Sequence, residues 1–335
     1  MSEEFCYCLI KFLISHLSFL IYFVSLHPIM KKYIWIIATI CLLAGCGQSY
    51  EEQQRVSRQQ QRQRMREDSA ALKVAVMPTM DCLPLYVAQE RGFFQKLGVD
   101  VRLKRFAAQM DCDTAVERGR VEGMVSDLVR TERLQQQGTP LRYVSATNAY
   151  WQLITNRSAR IRELKQLDDK MVAMTRYSAT DLLTSVAVDS AKLKTERVFR
   201  IQINDVNIRL RMLLGNEIDA MLLTEPQAAQ ARQQKHRVVM DSRGLDLKFG
   251  VIAFRSKTLE DSTRQKQLDC FLKAYNQACD SLSRLGLKQY RDVAEKYCYV
   301  QGAVVDSLAK TVKYERAQAP RQQDVERAQA WLKSN

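Results

Sequence analysis

The sequence predicts an α/β protein with parallel-rich sheets and a helical C-terminal tail. From Leu72 onward, short apolar segments of strand length alternate with amphipathic segments of helical period. This alternation divides near Ala149 into two similar series, and residues 259–332 are almost entirely helical in pattern. Because repeated strand–helix units favour parallel sheets covered by helices, we expect two packed lobes.

Nine segments have the length and apolar content of strands. They are Leu72–Met77, Val99–Phe106, Gly123–Ser126, Leu141–Ala146, Met171–Met174, Phe199–Ile203, Ala220–Leu223, Val238–Met240 and Phe249–Phe254. Amphipathic patterns predict helices at Leu83–Lys96, Asp127–Gln137, Thr180–Lys192, Val206–Leu214 and Pro226–Gln234.

Composition excludes some classes of protein. The chain has 335 residues, of which 46% are hydrophobic and 26% charged, unlike a polytopic membrane protein. Its formal net charge is +14, but the basic residues are interleaved with acids and form no long basic run. The sequence also lacks a helix-turn-helix or zinc-finger spacing, so we expect no nucleic-acid partner.

The segment from Met30 to Cys46 has the order of an export signal. Two lysines follow Met30, then comes the apolar run Tyr33–Leu43, and the segment ends in Leu43-Ala44-Gly45-Cys46. A positive start, a short apolar core and small residues before a processing site predict a signal peptide over residues 30–45. The final tetrad resembles the lipobox of bacterial lipoproteins, so Cys46 is the expected lipidation site and the expected location is the cell envelope.

Two further N-terminal segments flank this signal. Residues 1–29 contain another apolar run, which is either a membrane segment or an artefact of a start site upstream of Met30, and we favour the artefact. Residues 46–70 are rich in Gln, Arg and Glu and poor in apolar side chains. Such a composition predicts a flexible tether, or at best a fraying helix.

Three strings in the globular part resemble one known family. They are Leu83–Phe94 with the following Leu97–Val101, then Ala115–Gly123, then Leu213–Ala220 with Glu225-Pro226 beyond it. In this order and spacing they resemble the NMT1/SsuA-like periplasmic binding proteins, whose members bind nitrate, sulfonates, taurine and pyrimidine precursors. In the first string, Gly92 is expected to end its helix in the left-handed region.

The resemblance implies a two-lobed, type II-like periplasmic binding protein. Lobe 1 would comprise residues 71–148 plus 246–335, and lobe 2 residues 149–245. A small-molecule solute would bind in the cleft between them by hinge closure. The implied partners are an ABC permease with its ATPase and, through the lipid anchor, a membrane. We expect a monomer without cofactors that faces the periplasm or the exterior.

Two other functions remain open for this fold. One is a sensing or surface-interaction lipoprotein that has no importer. The other is an enzyme, because related folds include cytosolic enzymes of thiamine and menaquinone precursor synthesis. The lipobox and the lack of a Ser/His/Asp or Cys/His set weigh against an enzyme.

Ligands of open α/β sheets bind at the carboxyl ends of strands, which selects the candidate binding residues. They are Met80, Asp81, Gln109, Asp111, Ser126, Asp127, Asn148, Thr175, Arg176, Tyr177, Ser178, Asn204 and Glu225. Asp127 is equally suited to capping a helix, and Arg176 to solvent exposure. Tyr150 and Trp151 would either stack on a flat ligand or pack the hinge.

The charges among these candidates predict the ligand class. Asp81, Asp111, Asp205 and Glu225 would oppose one base, Arg176. This balance favours a solute with amino or cationic groups, a zwitterion or a heterocycle.

Cysteines suggest one covalent link. Cys82 and Cys112 each follow a Met-Asp pair, after neighbouring predicted strands, and an exported compartment permits oxidation. We therefore predict a Cys82–Cys112 disulfide, while the pairing of Cys270, Cys279 and Cys298 stays open. Without a CxxC pair, and with His236 as the single histidine after the signal, we expect no metal site.

Overall fold

The computed structural model describes residues 50–335. The predicted signal peptide, the lipidation site Cys46 and residues 1–29 lie outside the described residues. The chain divides into two compact units, with the boundary between Ser69 and Ala70. Within the described range, no helix combines the length and apolarity needed to cross a membrane.

The described part of the predicted tether is helical. Helix α1 (Tyr50–Ala70) exposes its side chains from Arg55 to Glu67. Glutamine and arginine are good helix formers, and i,i+4 hydrogen bonds such as Gln63 to Glu67 (3.0 Å) add support. Local propensity therefore accounts for this helix over residues 55–67, where every side chain is exposed.

Ten strands occur in residues 70–335. They are β1 (Leu72–Val76), β2 (Val101–Arg105), β3 (Gly123–Asp127), β4 (Leu141–Ala146), β5 (Gln152–Thr155), β6 (Lys170–Met174), β7 (Val198–Gln202), β8 (Ala220–Leu223), β9 (Arg237–Asp241) and β10 (Gly250–Arg255). The helices of this unit are α2 (Leu83–Glu90), α3 (Phe93–Lys96), α4 (Gln109–Glu117), α5 (Leu128–Gln136), α6 (Ala179–Ser190), α7 (Val206–Leu214), α8 (Gln227–Gln233), α9 (Ser262–Leu285), α10 (Arg291–Cys298), α11 (Gly302–Leu308) and α12 (Gln322–Ser334).

The strands form two five-stranded sheets with the same design. The first has the order β2-β1-β3-β10-β4 and the second β7-β6-β8-β5-β9. In each sheet four strands run in one direction and one is reversed, β10 in the first and β5 in the second. Each reversed strand is the first to follow a crossing from the other sheet. The predicted α/β class with parallel-rich sheets and a helical tail is confirmed.

The core of the first lobe contains three phenylalanines in contact. Phe271 of α9 lies between Phe94 and Phe254, with ring centroids 5.9 and 5.4 Å away, and all three rings are fully buried. Gly92, just before α3, has φ +69°, as expected for a helix end in the left-handed region. The predicted long helix therefore divides there into α2 and α3.

The two chain crossings between the sheets pack tightly against each other. Thr147 donates its backbone N–H to the carbonyl of Gly250 at 2.8 Å. A Cβ atom at Gly250 would lie 2.2 Å from Thr147 Oγ1 and 2.6 Å from the Ala149 side chain. Only a glycine leaves room for this approach.

The C-terminal helix α12 packs against helices of both lobes, α5 and α6. Val325 and Ala328 are buried against the core, and Gln329 donates to Glu132 of α5 at 2.9 Å. Trp331 donates its indole N–H to Ser185 of α6 at 3.1 Å. Helix α12 therefore contacts both lobes.

Candidate functional site

A small cavity lies where the carboxyl ends of strands from both sheets meet. Its volume is about 60 Å³, and it is lined by residues at the ends of β1, β3, β6 and β8 and by helices that begin there. This position follows the general rule for ligands of open α/β sheets. The cavity is therefore the candidate site.

Hydrogen bonds join the two lobes around this cavity. The backbone N–H of Val206 donates to the Ala107 carbonyl at 3.2 Å, and Gln227 Nε2 donates to the Pro78 carbonyl at 3.1 Å. The lobes are therefore in direct contact across the cleft.

Several of the predicted site residues come together here. Those that line the cavity are Asp81, Gln109, Ser126, Asp127, Thr175 and Ser178. Gln109 Nε2 donates to Ser126 Oγ at 3.1 Å, which fixes both polar groups at the wall. The other predicted residues, which do not line it, are Met80, Asp111, Asn148, Arg176, Tyr177, Asn204 and Glu225.

Asp127 links the two lobes in addition to capping a helix. Its Oδ1 atom accepts the N–H of Arg130 in α5 and the N–H of Ala179 at the start of α6, both at 3.0 Å. The side chain is buried, and burial raises the pKa of Asp127 to about 6. The capping interpretation and the cleft interpretation of Asp127 are therefore compatible.

The turn after β6 presents a compact set of hydroxyl groups. Ser178 caps α6 by accepting the N–H of Thr180 at 3.1 Å, and Thr180 Oγ1 accepts the N–H of Thr175 at 2.9 Å. All three residues are buried and line the cavity. They supply a wall of oriented dipoles without net charge.

Arg130 is a cavity residue that the strand-end rule did not select. It lies one turn into α5, is 2% exposed, and pairs with the buried Asp113. Its Nη1 donates to the Arg176 carbonyl of the other lobe at 3.4 Å, while its Nε has no partner. The Asp113 carboxylate balances the Arg130 charge.

Arg209 is the second arginine that the rule missed, and no acid pairs with it. It lies on α7, is 6% exposed, and donates Nη1 to the Leu222 carbonyl at 3.0 Å. Its Nε is buried without a partner, and none of the ion pairs in residues 50–335 includes Arg209. Burial, with Arg130 nearby, lowers the pKa of Arg209 to about 10 against the opposing effect of Asp205.

Three of the four acids predicted to surround the ligand do not line the cavity. Asp205 caps α7 by accepting the N–H groups of Asn207 and Ile208, and Glu225 pairs with Arg232 at 2.7 Å. Asp111 is exposed. Asp81 does line the cavity, where burial raises its pKa.

The remaining predicted residues have identifiable contacts elsewhere. Arg176 is exposed. The Arg133 guanidinium lies over the ring of the neighbouring Tyr177, 4.4 Å from the ring centroid. Met80 donates its backbone N–H to the Glu225 carbonyl at 2.9 Å. Asn148 donates to the Lys313 carbonyl at 2.7 Å, and Asn204 accepts from Gln202 at 3.1 Å.

The two aromatic residues at the first crossing have different environments. Trp151 lines the cavity. Tyr150 donates its hydroxyl to Glu225 at 2.8 Å, and the Arg243 guanidinium lies 3.8 Å from its ring centroid. Tyr150 therefore packs at the first crossing, whereas Trp151 can contact a ligand.

The predicted Cys82–Cys112 disulfide is not formed, because both cysteines are free and buried. Cys112 is not in a loop but in the first turn of α4, while Cys82 Sγ accepts the N–H of Met77 at 3.4 Å. Burial raises the pKa of both thiols well above their usual range. The described residues contain no cluster of side chains suited to a metal ion.

Comparisons with solved structures identify the class of fold. The alkanesulfonate-binding protein SsuA from Xanthomonas axonopodis pv. citri, bound to MOPS, superposes with TM-score 0.69 at 17% identity, covering 79% of this chain and 92% of that one. The periplasmic nitrate-binding protein NrtA from Synechocystis PCC 6803 gives TM-score 0.65 at 14% identity, covering 76% and 74%. The fold is therefore that of periplasmic binding proteins.

The family follows from the sequence itself. Residues 79–283, well over half of the chain, match the NMT1/THI5-like family model. The chain belongs to the NMT1/THI5-like family, which confirms the resemblance drawn from the three strings. Among curated proteins there is no significant match.

Proposed function

We propose that the protein is an extracytoplasmic solute-binding lipoprotein of an ABC importer. In this proposal the signal peptide is removed, Cys46 carries the lipid, and residues 46–70 link the anchor to the binding unit. The two lobes close on a small organic solute, which is then delivered to a permease with its ATPase. The family, the fold and the polar cavity between the lobes support this function.

The unpaired guanidinium of Arg209 carries the proposal about the solute. A buried charge without a counterion is costly, so a ligand that supplies a negative group would gain that interaction on binding. Arg130 is already balanced by Asp113. Of the four acids expected to attract a cation, Asp205 caps a helix, Glu225 is paired and Asp111 is exposed. Of these four, only Asp81 lines the cavity, and burial raises its pKa, which favours its neutral form. We therefore propose that the solute carries an acidic group, in contrast to the cationic or amino group favoured by the sequence.

The rest of the cavity limits the solute further. A volume of about 60 Å³ suits a compact molecule. Trp151 offers an apolar surface, and the hydroxyls around Thr175 and Ser178 can hydrogen-bond a polar head. Asp127 could accept a donor group from the same solute, so a zwitterion is compatible with the site.

A thermal-shift screen tests this proposal on the purified lipoprotein in detergent. Small carboxylates, sulfonates and phosphonates are compared with amines of matched size, and each is added to wild type and to Arg209→Gln. We expect the acids, but not the amines, to raise the melting temperature of wild type. In Arg209→Gln the acids should no longer raise it. Stabilisation by amines, or equal stabilisation of both proteins by acids, would contradict the assigned ligand class.

The transport role has its own test. The lipoprotein is reconstituted in vesicles with its candidate permease and ATPase, and ATP hydrolysis is followed with and without the stabilising acid. We expect acid-dependent stimulation of hydrolysis. If the acid binds but hydrolysis does not respond, the importer role is wrong even though the binding role stands.

A further inference from the structure

A second and larger cavity lies at the chain crossings. It has a volume of about 280 Å³ and is formed by both crossing segments, residues 146–150 and 243–248, together with residues 311–318. We call it the hinge pocket. Ala149 lines both this pocket and the cleft cavity, so the two cavities share the first crossing.

Three tyrosines line the hinge pocket. Tyr150, Tyr275 and Tyr314 contribute to its walls, and all three are buried. The hydroxyl of Tyr314 donates to the Met80 carbonyl at 3.1 Å, and that of Tyr150 donates to Glu225. Because these two hydroxyls already have partners, Tyr150 and Tyr314 offer ring surface rather than free hydroxyls to an occupant, although Arg243 covers part of the Tyr150 ring.

The rim of the pocket carries unpaired positive charge. Lys248 and Lys313 are exposed, and neither forms an ion pair or a side-chain hydrogen bond with any part of the chain that the structure describes. Glu315, whose carboxylate accepts from Gln318 at 2.7 Å, is the one lining acid without a cationic partner in that part.

The other lining charges are neutralised by neighbours. Arg243 pairs with Asp241 at 2.7 Å and Arg316 with Asp280 at 2.6 Å. Asp246 pairs with Arg321 at 2.7 Å. The charge left at the rim is therefore two lysines against one acid.

We infer that the hinge pocket is a second ligand site, which binds a small acid with a flat apolar body. The rings of the walls take the apolar body and the two rim lysines attract the acidic group. The site is distinct from the cleft and goes beyond solute capture. Its occupant contacts both crossing segments, so it acts on the segments about which the lobes would close.

The test uses anilinonaphthalene sulfonate, a fluorescent acid with a flat apolar body, titrated into the full-length lipoprotein. We expect saturable binding of one probe per protein. The double substitution Lys248→Glu with Lys313→Glu should raise the Kd about ten-fold, because it reverses the rim charge. Lys165→Glu with Lys194→Glu, which changes exposed lysines outside the pocket by the same charge, should leave the Kd unchanged.

A second pair of variants tests occupancy without a change of charge. Val312 lines the pocket, so Val312→Trp should fill it and abolish probe binding, whereas Val312→Ala should not. Arg209→Gln, which alters the cleft, should leave probe binding intact. The inference is overturned if no saturable binding occurs, if the rim and filling variants bind as wild type does, or if Arg209→Gln abolishes binding. Failure of the cleft proposal would instead appear in the solute screen.

Discussion

Asp127 offers the sharpest quantitative test of the cleft geometry. Replacing it with asparagine removes the charge but keeps an oxygen that can accept the two backbone N–H groups, from Arg130 and Ala179. Asp127→Asn therefore separates the electrostatic cost of the carboxylate from its hydrogen bonds. Asp127→Ala, which removes both, is the matched control.

The expected magnitude follows from the pKa of Asp127. Burial raises it from 3.8 to about 6, so the native state binds the proton more tightly than the unfolded chain does. The resulting stabilisation is complete below about pH 3.8 and is lost as the pH rises through about 6. That difference in pKa corresponds to roughly 3 kcal/mol of unfolding free energy.

Urea unfolding followed by circular dichroism, between about pH 4 and pH 8, measures this effect. We expect the stability of Asp127→Asn relative to wild type to increase over that range by up to roughly 3 kcal/mol. Asp127→Ala should instead be less stable than wild type by about 1 kcal/mol at low pH, where the lost cap dominates. A difference between Asp127→Asn and wild type that does not change with pH would refute the reasoning.

Other contacts give further predictions. Trp331→Phe should lower the unfolding free energy by about 1 kcal/mol in urea, because it removes the indole hydrogen bond to α6; equal stability would show that the bond contributes nothing. Gly250→Ala should cost about 1–3 kcal/mol because its Cβ has no room, whereas Gly244→Ala, whose nearest atom is 3.5 Å away, should be nearly neutral in the same assay. Cys82 and Cys112 should react with a thiol reagent only after unfolding, and to the same extent with or without prior reduction. If reduction increased the number of reactive thiols in the unfolded protein, a disulfide would be present.

Most of the fold could be predicted from apolar patterning, and the main omission has a physical cause. Strand β5 (Gln152–Thr155) was missed because two of its four residues are polar. Its Gln152 and Thr155 are buried because they hydrogen-bond within the protein, Gln152 to Asp241 and Thr155 to the Ile161 carbonyl. Hydrophobicity cannot reveal a strand whose burial depends on such partners.

The site was only partly predictable for a related reason. Strand ends select residues that the backbone brings to the cleft, as with Ser126 and Thr175. Arg130 and Arg209 reach it from the next helical turn, three and four positions after the caps Asp127 and Asp205. An arginine on the apolar face of a helix that starts at a strand end is the sequence signal that could have found Arg209. Which acids have partners depends on side-chain contacts that the sequence does not contain.

The reversed strand β10 has a consequence for how the chain matures. It lies between β3 and β4 in the first sheet, yet it is the last strand to be synthesised. Until residue 255 has left the ribosome, β3 and β4 lack the strand that joins them, and the first lobe cannot complete its sheet. The order of the strands therefore delays the native state until most of the chain exists, and a chain that folds late is one that can still be threaded through a membrane.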